Sequence, residues 1–100
     1  MGGDAFATYY VDFNRIKRHD GYVYFWRVNN RLKAGKYGTL SSNVYIQGDC
    51  KLFRHKALSG SYHKEVMGKG TGKPFTPPNK WGYPPPNTSI GTILKTICNQ

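Results

Sequence analysis

The histidines, acidic residues and cysteines are the side chains in this sequence that could carry catalysis or hold a metal ion. None of the three histidines, His19, His55 and His63, has the i, i+4 spacing of a helical zinc site. His55 and His63 share one face of a predicted strand but lie several residues apart along it, too far to bind one ion together. The acidic residues are scattered and form no carboxylate pair for acid–base chemistry. The sequence therefore predicts a protein that is not an enzyme and that has no metal site and no cofactor.

Cys50 and Cys98 are the two cysteines of the chain. They are not in a CxxC spacing, so a redox motif or a zinc ribbon is excluded. A disulfide between them and a pair of buried free thiols are both compatible with the composition. Cys50 lies on the apolar face of a predicted strand, and Cys98 lies on or beside the apolar stripe of a predicted helix. This placement favours a disulfide that ties the helix to the strand.

Positive charge dominates the composition. The chain has 15 Lys and Arg against 5 Asp and Glu, a net charge of +10. A field of this sign attracts polyanions, such as nucleic acid, acidic lipids, acidic glycans or an acidic protein, without selecting among them. The basic residues expected to attract an anionic partner are Arg15, Lys17, Arg18, Arg31, Lys33, Lys36, Lys51, Arg54 and Lys56. Two aromatic residues later in the chain, Trp81 and Tyr83, are expected to anchor a loop or, if exposed, to form the recognition surface.

Alternating apolar residues predict four strands in the first two thirds of the chain. They cover residues 6–13, 22–28, 39–50 and 53–63. A turn is expected at residues 19–21, because Gly21 adopts positive φ at little cost, and an exposed polar connection is expected over residues 29–38. Short links between successive strands indicate an antiparallel meander.

The second predicted strand is apolar on both of its faces. Tyr22, Tyr24, Trp26 and Val28 point to one face, whereas Val23, Phe25 and Arg27 point to the other. One face is expected to pack against a helix. The other face is then either covered by a loop or available as a binding surface.

The last third of the chain predicts a loop followed by a helix. Residues 68–88 hold all six prolines of the sequence, which excludes a helix or a central strand, and we expect a loop pinned by Phe75, Trp81 and Tyr83. Apolar residues at helical spacing then predict a helix over residues 89–98, capped by Thr88 or Ser89 and laid across one face of the sheet.

The length fits one domain over residues 1–100, with a disordered start over residues 1–4. No apolar run approaches the roughly 20 residues that a membrane-spanning helix needs. Met1-Gly2-Gly3 is interpreted as a start placed on a mature domain whose signal peptide has been removed.

An ordered set of segments resembles the surface-adhesin protein E family of bacterial envelope and secreted proteins. It consists of Tyr9-Tyr10-Val11-Asp12, Val23 to Val28 with Trp26 inside it, Asp49-Cys50-Lys51, Ser59 to Tyr62, Met67-Gly68, the Pro77-Pro78…Trp81…Tyr83…Pro85-Pro86 loop and the terminal Leu94-Lys95-Thr96-Ile97-Cys98. The set covers residues 8–98. The chain departs from the resemblance in its density of Lys and Arg and in Gly48, where an aromatic residue is expected.

The resemblance implies an α+β fold, with an antiparallel sheet of about six strands and a C-terminal helix tied to it by the Cys50–Cys98 disulfide. It also implies export, to the periplasm, the cell surface or the medium, and non-catalytic adhesion. The partner is then a host or environmental surface protein or an anionic envelope polymer. Pairing of edge strands into a homodimer is a further expectation.

Nucleic-acid binding is the alternative function. Aromatic and basic residues interleave from Tyr22 to Arg27, and an exposed aromatic sheet face can stack on bases. An exported protein with a disulfide seldom meets nucleic acid, so the adhesin-like function is favoured.

Overall fold

The computed structural model describes residues 7–31, 38–85 and 87–100. In this part of the chain, six strands form one antiparallel sheet, followed by a single α-helix. The strands are β1 (Ala7–Val11), β2 (Lys17–His19), β3 (Tyr22–Arg31), β4 (Ser41–Asp49), β5 (Arg54–His63) and β6 (Lys73–Phe75), and the helix is α1 (Ser89–Cys98). Two short 3₁₀ helices, Phe13–Arg15 and Val66–Gly68, lie between strands. The predicted fold class is confirmed. The expected disordered start at residues 1–4 lies outside the described residues.

The sheet has the strand order β1-β3-β4-β5-β6, and β2 also pairs with β3. β1 pairs with the second half of β3 and β2 with the first half, so together they form one interrupted edge. Asp20 and Gly21 join β2 to β3 with φ of 52° and 81°, as a two-residue hairpin turn of type I′ requires. The expected connection over residues 29–38 is wrong at its start. Residues 29–31 continue β3, because β1 pairs with all three and β4 pairs with Asn29 and Asn30. Residues 32–37 of the expected connection lie outside the described residues.

The hydrophobic core lies between α1 and one face of the sheet. The helix contributes Ile93, Leu94 and Ile97, each at most 1% exposed, and these residues recur at the spacing of one helical stripe. β3 and β4 supply the facing side chains, which are Val23, Phe25, Val44 and Ile46. Thr88 caps the helix, because its hydroxyl accepts a hydrogen bond from the N–H of Gly91 at 3.1 Å.

A disulfide between Cys50 and Cys98 ties the end of α1 to the sheet. Cys98 is the last residue of the helix, and Cys50 lies in the turn directly after β4 rather than inside the strand. The disulfide therefore holds the helix over the strand that supplies much of the core.

The Pro-rich segment, by which we mean the described residues from 68 to 85, runs along the β5 edge of the sheet. Residues 73–75 form the short edge strand β6 against Gly60–Tyr62. Further on, Gly82 and His55 exchange two backbone hydrogen bonds of 2.8 and 2.9 Å. These bonds fix the position of the preceding residue, Trp81.

An irregularity in β5 changes the faces on which two histidines lie. Tyr45 pairs with Ser59 and Ile46 with Ala57, which leaves Leu58 without a partner across the ladder. Such a bulge shifts the alternation of side chains by one residue. His55 therefore lies on the face that α1 covers and His63 on the opposite face. The expectation that they share a face is wrong.

Candidate binding surface

The sheet face opposite α1 is the outer face of the molecule. Its side chains come from alternate residues of β3 and β4, and the antiparallel register places Trp26 beside Tyr45 and Tyr24 beside Gln47. Alternation thus sends Val23, Phe25, Val44 and Ile46 to the core, and it sends Tyr24, Trp26 and Tyr45 to the outer face. β3 is apolar on both faces because one face packs against α1 and the other carries exposed and half-buried aromatic rings.

Three rings on the outer face form what we call the aromatic platform, which consists of Tyr24, Trp26 and Tyr45. The ring centroids of Trp26 and Tyr45 are 4.8 Å apart, and those of Tyr24 and Tyr45 are 6.2 Å apart. The amide nitrogen of Gln47 donates to the Tyr24 hydroxyl at 3.2 Å, which fixes one ring. Trp26 is 42% exposed. Large aromatic side chains that remain exposed side by side are typical of a recognition surface.

Two basic residues border the platform on the side of β2. Arg15 ends the first 3₁₀ helix, and Lys17 begins β2 directly opposite Tyr24 of β3. Asp12 caps this 3₁₀ helix by accepting a hydrogen bond from the N–H of Asn14 at 3.0 Å. Both basic side chains are exposed, and neither has an ion-pair partner within residues 7–31, 38–85 and 87–100. Their charge is therefore available to a ligand.

Trp26 stands between two grooves that both include Arg15. One groove has a volume of about 560 Å³ and is lined by Tyr10, Asp12, Val28 and Asn43 among others. The second groove has a volume of about 350 Å³ and contains Lys17 and Tyr45. The indole ring thus forms a ridge with a charged depression on either side.

Trp81 lies at the other end of the outer face, over the start of β5. The guanidinium carbon of Arg54 is 4.1 Å from the centroid of its ring system, and the Lys56 ammonium nitrogen is 4.7 Å away. Tyr22 stacks on the same ring system at 6.0 Å. Cation–π contacts of this kind hold an aromatic side chain in place. Trp81 therefore anchors the Pro-rich segment to the sheet.

Asp49 orients Arg54 at this end of the face. Its carboxylate accepts a hydrogen bond from Arg54 Nε at 2.9 Å and from the backbone N–H groups of Lys51 and Leu52 at 3.1 and 3.3 Å. Burial raises the pKa of Asp49, but these hydrogen bonds outweigh burial and leave the pKa below its usual value. Arg54 is thus held by Asp49, whereas Arg15 and Lys17 are exposed and form no ion pair within the described residues.

The structure separates the residues predicted to bind a partner into groups. Arg15, Lys17, Arg54, Lys56 and Trp81 lie on the outer face. Arg18 points to the opposite face, where its guanidinium donates to the Ile97 carbonyl at 2.8 Å. Arg31 is exposed at the end of β3, Lys51 is exposed in the turn between β4 and β5, and Lys33 and Lys36 fall outside the described residues. Tyr83 is 64% exposed beside a cavity near the start of α1, and its side chain also contacts Arg54.

Sequence reasoning did not single out Tyr45 as a binding residue, but it placed Arg27 correctly on the face of Val23 and Phe25. Tyr45 was detectable, because it alternates with Val44 and Ile46, which point to the core. Arg27 ends the interleaved aromatic and basic segment, yet it lies on the face covered by α1 and is only 8% exposed. Its Nε donates to Asn29 Oδ1 at 3.0 Å, and burial lowers its pKa. Arg27 therefore cannot contact a ligand bound on the outer face.

Within the part of the chain that the structure describes, a serine and a histidine form the one pairing that resembles catalytic machinery. Ser61 Oγ and His63 Nε2 are 2.7 Å apart, but Nδ1 of His63 is buried without a hydrogen-bond partner. A nucleophile–base pair needs a third group that orients the base, and the described residues place none there. Across the same residues no group of three or more His, Cys, Asp or Glu is arranged to hold a metal ion. Nor does the described chain contain a helix long and apolar enough to span a membrane.

A family model described as surface-adhesin protein E matches residues 1–99. The match covers the outer face, α1 and both cysteines. No curated protein matches the chain. No solved structure matches it either.

Proposed function

We propose that this chain, which belongs to the surface-adhesin protein E family, is an exported, non-catalytic domain that binds an anionic partner at the cell surface or envelope. The observation that carries the proposal is the aromatic platform, with Trp26 exposed between half-buried Tyr24 and Tyr45, and the exposed cations Arg15 and Lys17 at its border. Because α1 covers the other sheet face, the outer face is the broad surface of the sheet that remains accessible.

Export is supported by the Cys50–Cys98 disulfide. Disulfides persist in oxidising compartments and are rare in reducing ones. A family of surface adhesins is consistent with the same location. The test is alkylation of the protein in intact cells of its native host, followed by fractionation and intact mass. We expect a processed chain in the envelope or medium whose cysteines react only after reduction. A cytoplasmic chain with two reactive thiols contradicts export.

An anionic partner is supported by the uncompensated charge of the outer face. Within the described residues the acidic side chains make two ion pairs, Arg54–Asp49 and His19–Asp20, and neither involves the cations that border the platform. Such cations attract a negatively charged partner and raise its association rate. The basic residues near the platform then hold the partner, and the more distant ones contribute to the long-range field.

The binding test compares two variants that lose the same charge. Arg15→Gln/Lys17→Gln removes the cations beside the platform, whereas Lys64→Gln/Lys95→Gln removes two exposed cations that line neither groove. We expect the first variant to bind cultured animal cells about tenfold more weakly than the second. Equal binding by both variants contradicts a localised site on the outer face.

Edge-strand pairing into a homodimer has no role in this proposal. β6 has three residues and contains Pro74, which has no N–H to donate. The opposite edge is interrupted between β1 and β2 by the 3₁₀ helix Phe13–Arg15. Interrupted and Pro-containing edges resist pairing. Sedimentation velocity of the wild-type chain at several concentrations checks this point.

A further inference from the structure

We propose that the outer face binds a linear acidic polysaccharide, with one sugar ring on Trp26 and its neighbours in the two grooves beside that residue. This inference rests on the proposed function and names its ligand. It follows from the shape of the surface, the polar groups in the grooves and the position of the cations.

The shape favours a chain of repeated units. The grooves of about 560 and 350 Å³ lie on either side of Trp26 and both include Arg15. A compact ligand fills one groove, whereas a linear polymer crosses the indole ridge and fills both. The exposed ring of Trp26 is the contact that both parts of such a ligand share.

Polar groups in the larger groove match sugar hydroxyls. The carboxylate of Asp12 accepts one hydrogen bond, from the N–H of Asn14, and can accept more. Asn43 lines the same groove, but its Oδ1 is buried and faces away from a ligand in the groove's opening. Hydroxyl groups are donors, so a sugar in this groove can donate to the exposed Asp12 carboxylate. Flat aromatic side chains with polar groups around them bind the apolar face of a ring while its hydroxyls are satisfied at the edge.

The cations require that the polysaccharide be acidic. Arg15 lies at both grooves, and Lys17 lies across from Tyr24 at the border of the platform. A guanidinium binds a carboxylate or a sulfate group with two parallel hydrogen bonds. A neutral glycan leaves both charges unused.

Nucleic acid fits the surface less well because of Asp12. A nucleic-acid strand carries one phosphate per nucleotide, so a strand that fills the larger groove brings phosphates near this carboxylate. A polysaccharide separates its acidic groups with hydroxyl-bearing positions and can place a hydroxyl there. The difference makes single-stranded DNA the informative competitor.

The experiment uses the whole disulfide-bonded chain and calorimetric titration with size-defined probes at constant salt. The probes are a heparin-derived hexasaccharide, an oligogalacturonate of the same length, a neutral dextran oligosaccharide and an unstructured deoxyoligonucleotide. The variants are Trp26→Ala and the control Tyr62→Ala, which removes an aromatic ring of similar exposure outside both grooves.

We expect at least one acidic oligosaccharide to bind more tightly than the oligonucleotide, and neutral dextran not to bind. Trp26→Ala weakens binding of the acidic oligosaccharide by about tenfold or more, and Tyr62→Ala leaves it unchanged. In the wild-type chain, titration shifts the indole N–H resonance of Trp26 and not that of Trp81, a readout that needs no variant to fold.

Other outcomes overturn the inference in distinguishable ways. Tighter Trp26-dependent binding of the oligonucleotide assigns the platform to nucleic acid. Binding of every polyanion without dependence on Trp26 reduces the interaction to net charge and removes the glycan, while attraction to anions stands. Absence of binding to any anionic probe overturns both this inference and the anionic partner of the proposed function.

Discussion

The side chain of Leu94 in α1 occupies the space that a side chain at residue 48 of β4 would need. A Cβ atom at Gly48 would lie 2.7 Å from Leu94 Cδ1 and 2.8 Å from Cγ2 of Val23. Both neighbours are buried in the core and cannot move without disturbing its packing. Gly48 therefore lets α1 approach the sheet closely. The same contact explains why glycine, and not an aromatic residue, precedes Asp49-Cys50 in this chain.

Gly48→Ala should destabilise the fold by about 1–3 kcal/mol, the usual cost of overpacking a core. The matched control is Gly82→Ala, because a Cβ there would lie 3.5 Å from its nearest neighbour, an ordinary contact distance. Urea unfolding followed by circular dichroism gives both free energies. A Gly48→Ala variant as stable as Gly82→Ala would mean that α1 shifts without cost and that the close approach is not required.

Removing the Cys50–Cys98 disulfide should lower the free energy of unfolding substantially. The two cysteines are separated by 48 residues, and closing a loop of that length is worth about 4 kcal/mol in the chain-entropy account. Unfolding of Cys50→Ala/Cys98→Ala, with and without reductant, measures the effect. Reductant should destabilise the wild-type chain and leave the double variant unchanged. Equal stability of oxidised and reduced wild-type chain would show that packing of α1 alone holds the helix in place.

Most of the fold could be predicted from the alternation of apolar residues in the strands and their helical spacing near the end of the chain. The alternation in β3 and β4 and the apolar stripe that ends in Ile97 beside Cys98 predicted a helix laid across one face of a sheet and favoured the disulfide. Alternation did not predict the two short strands, β2 and β6. β6 contains Pro74 and lies in the Pro-rich segment, where a loop is expected. β2 is Lys17-Arg18-His19, which is fully polar and exposed, and it exists because the Asp20-Gly21 turn folds it back on β3.

The candidate surface was harder to predict because it depends on which strand face α1 covers. The sequence allowed either face of β3 to be buried. α1 covers the face of β3 that carries Val23 and Phe25. This packing buries Arg27 and leaves Trp26 exposed, and it depends on contacts between distant parts of the chain. The bulge at Leu58 had no sequence signal that we can identify, and it alone separates His55 and His63. The sequence shows which residues are basic, but the sheet face on which each of them lies depends on how the strands pair.

Trp81→Ala should release the Pro-rich segment from the sheet without unfolding the core. Trp81 is held by Arg54, Lys56 and Tyr22, none of which is part of the core. We expect faster cleavage by trypsin after Lys80, whereas the Lys73–Pro74 bond resists this protease in either state. Trp26→Ala is the control, because Trp26 packs against Tyr45 and does not touch this segment. Cleavage at the same rate in both variants would mean that the backbone hydrogen bonds of Gly82 suffice to hold the segment.

Protonation of His55 should make the protein less stable as the pH falls below neutrality. Burial lowers the pKa of His55, and repulsion from Arg27 lowers it further. The unfolded chain, with a histidine pKa of about 6.5, therefore binds the proton more readily than the folded chain. It follows that this contribution to stability is complete above that pH and is lost as the pH falls through the lower pKa of the folded state.

Urea unfolding between pH 7.5 and pH 5 measures this loss, and His55→Gln should flatten the pH dependence. His55 lies at a cavity with Tyr9 of β1 and Tyr83 of the Pro-rich segment, and the described residues place no carboxylate along this cavity to stabilise an imidazolium. His19→Gln is the control, because the imidazole of His19 is exposed and pairs with Asp20. If His19→Gln flattened the curve as much as His55→Gln, the pH dependence would not originate in the buried histidine, and the environment assigned to His55 would be wrong.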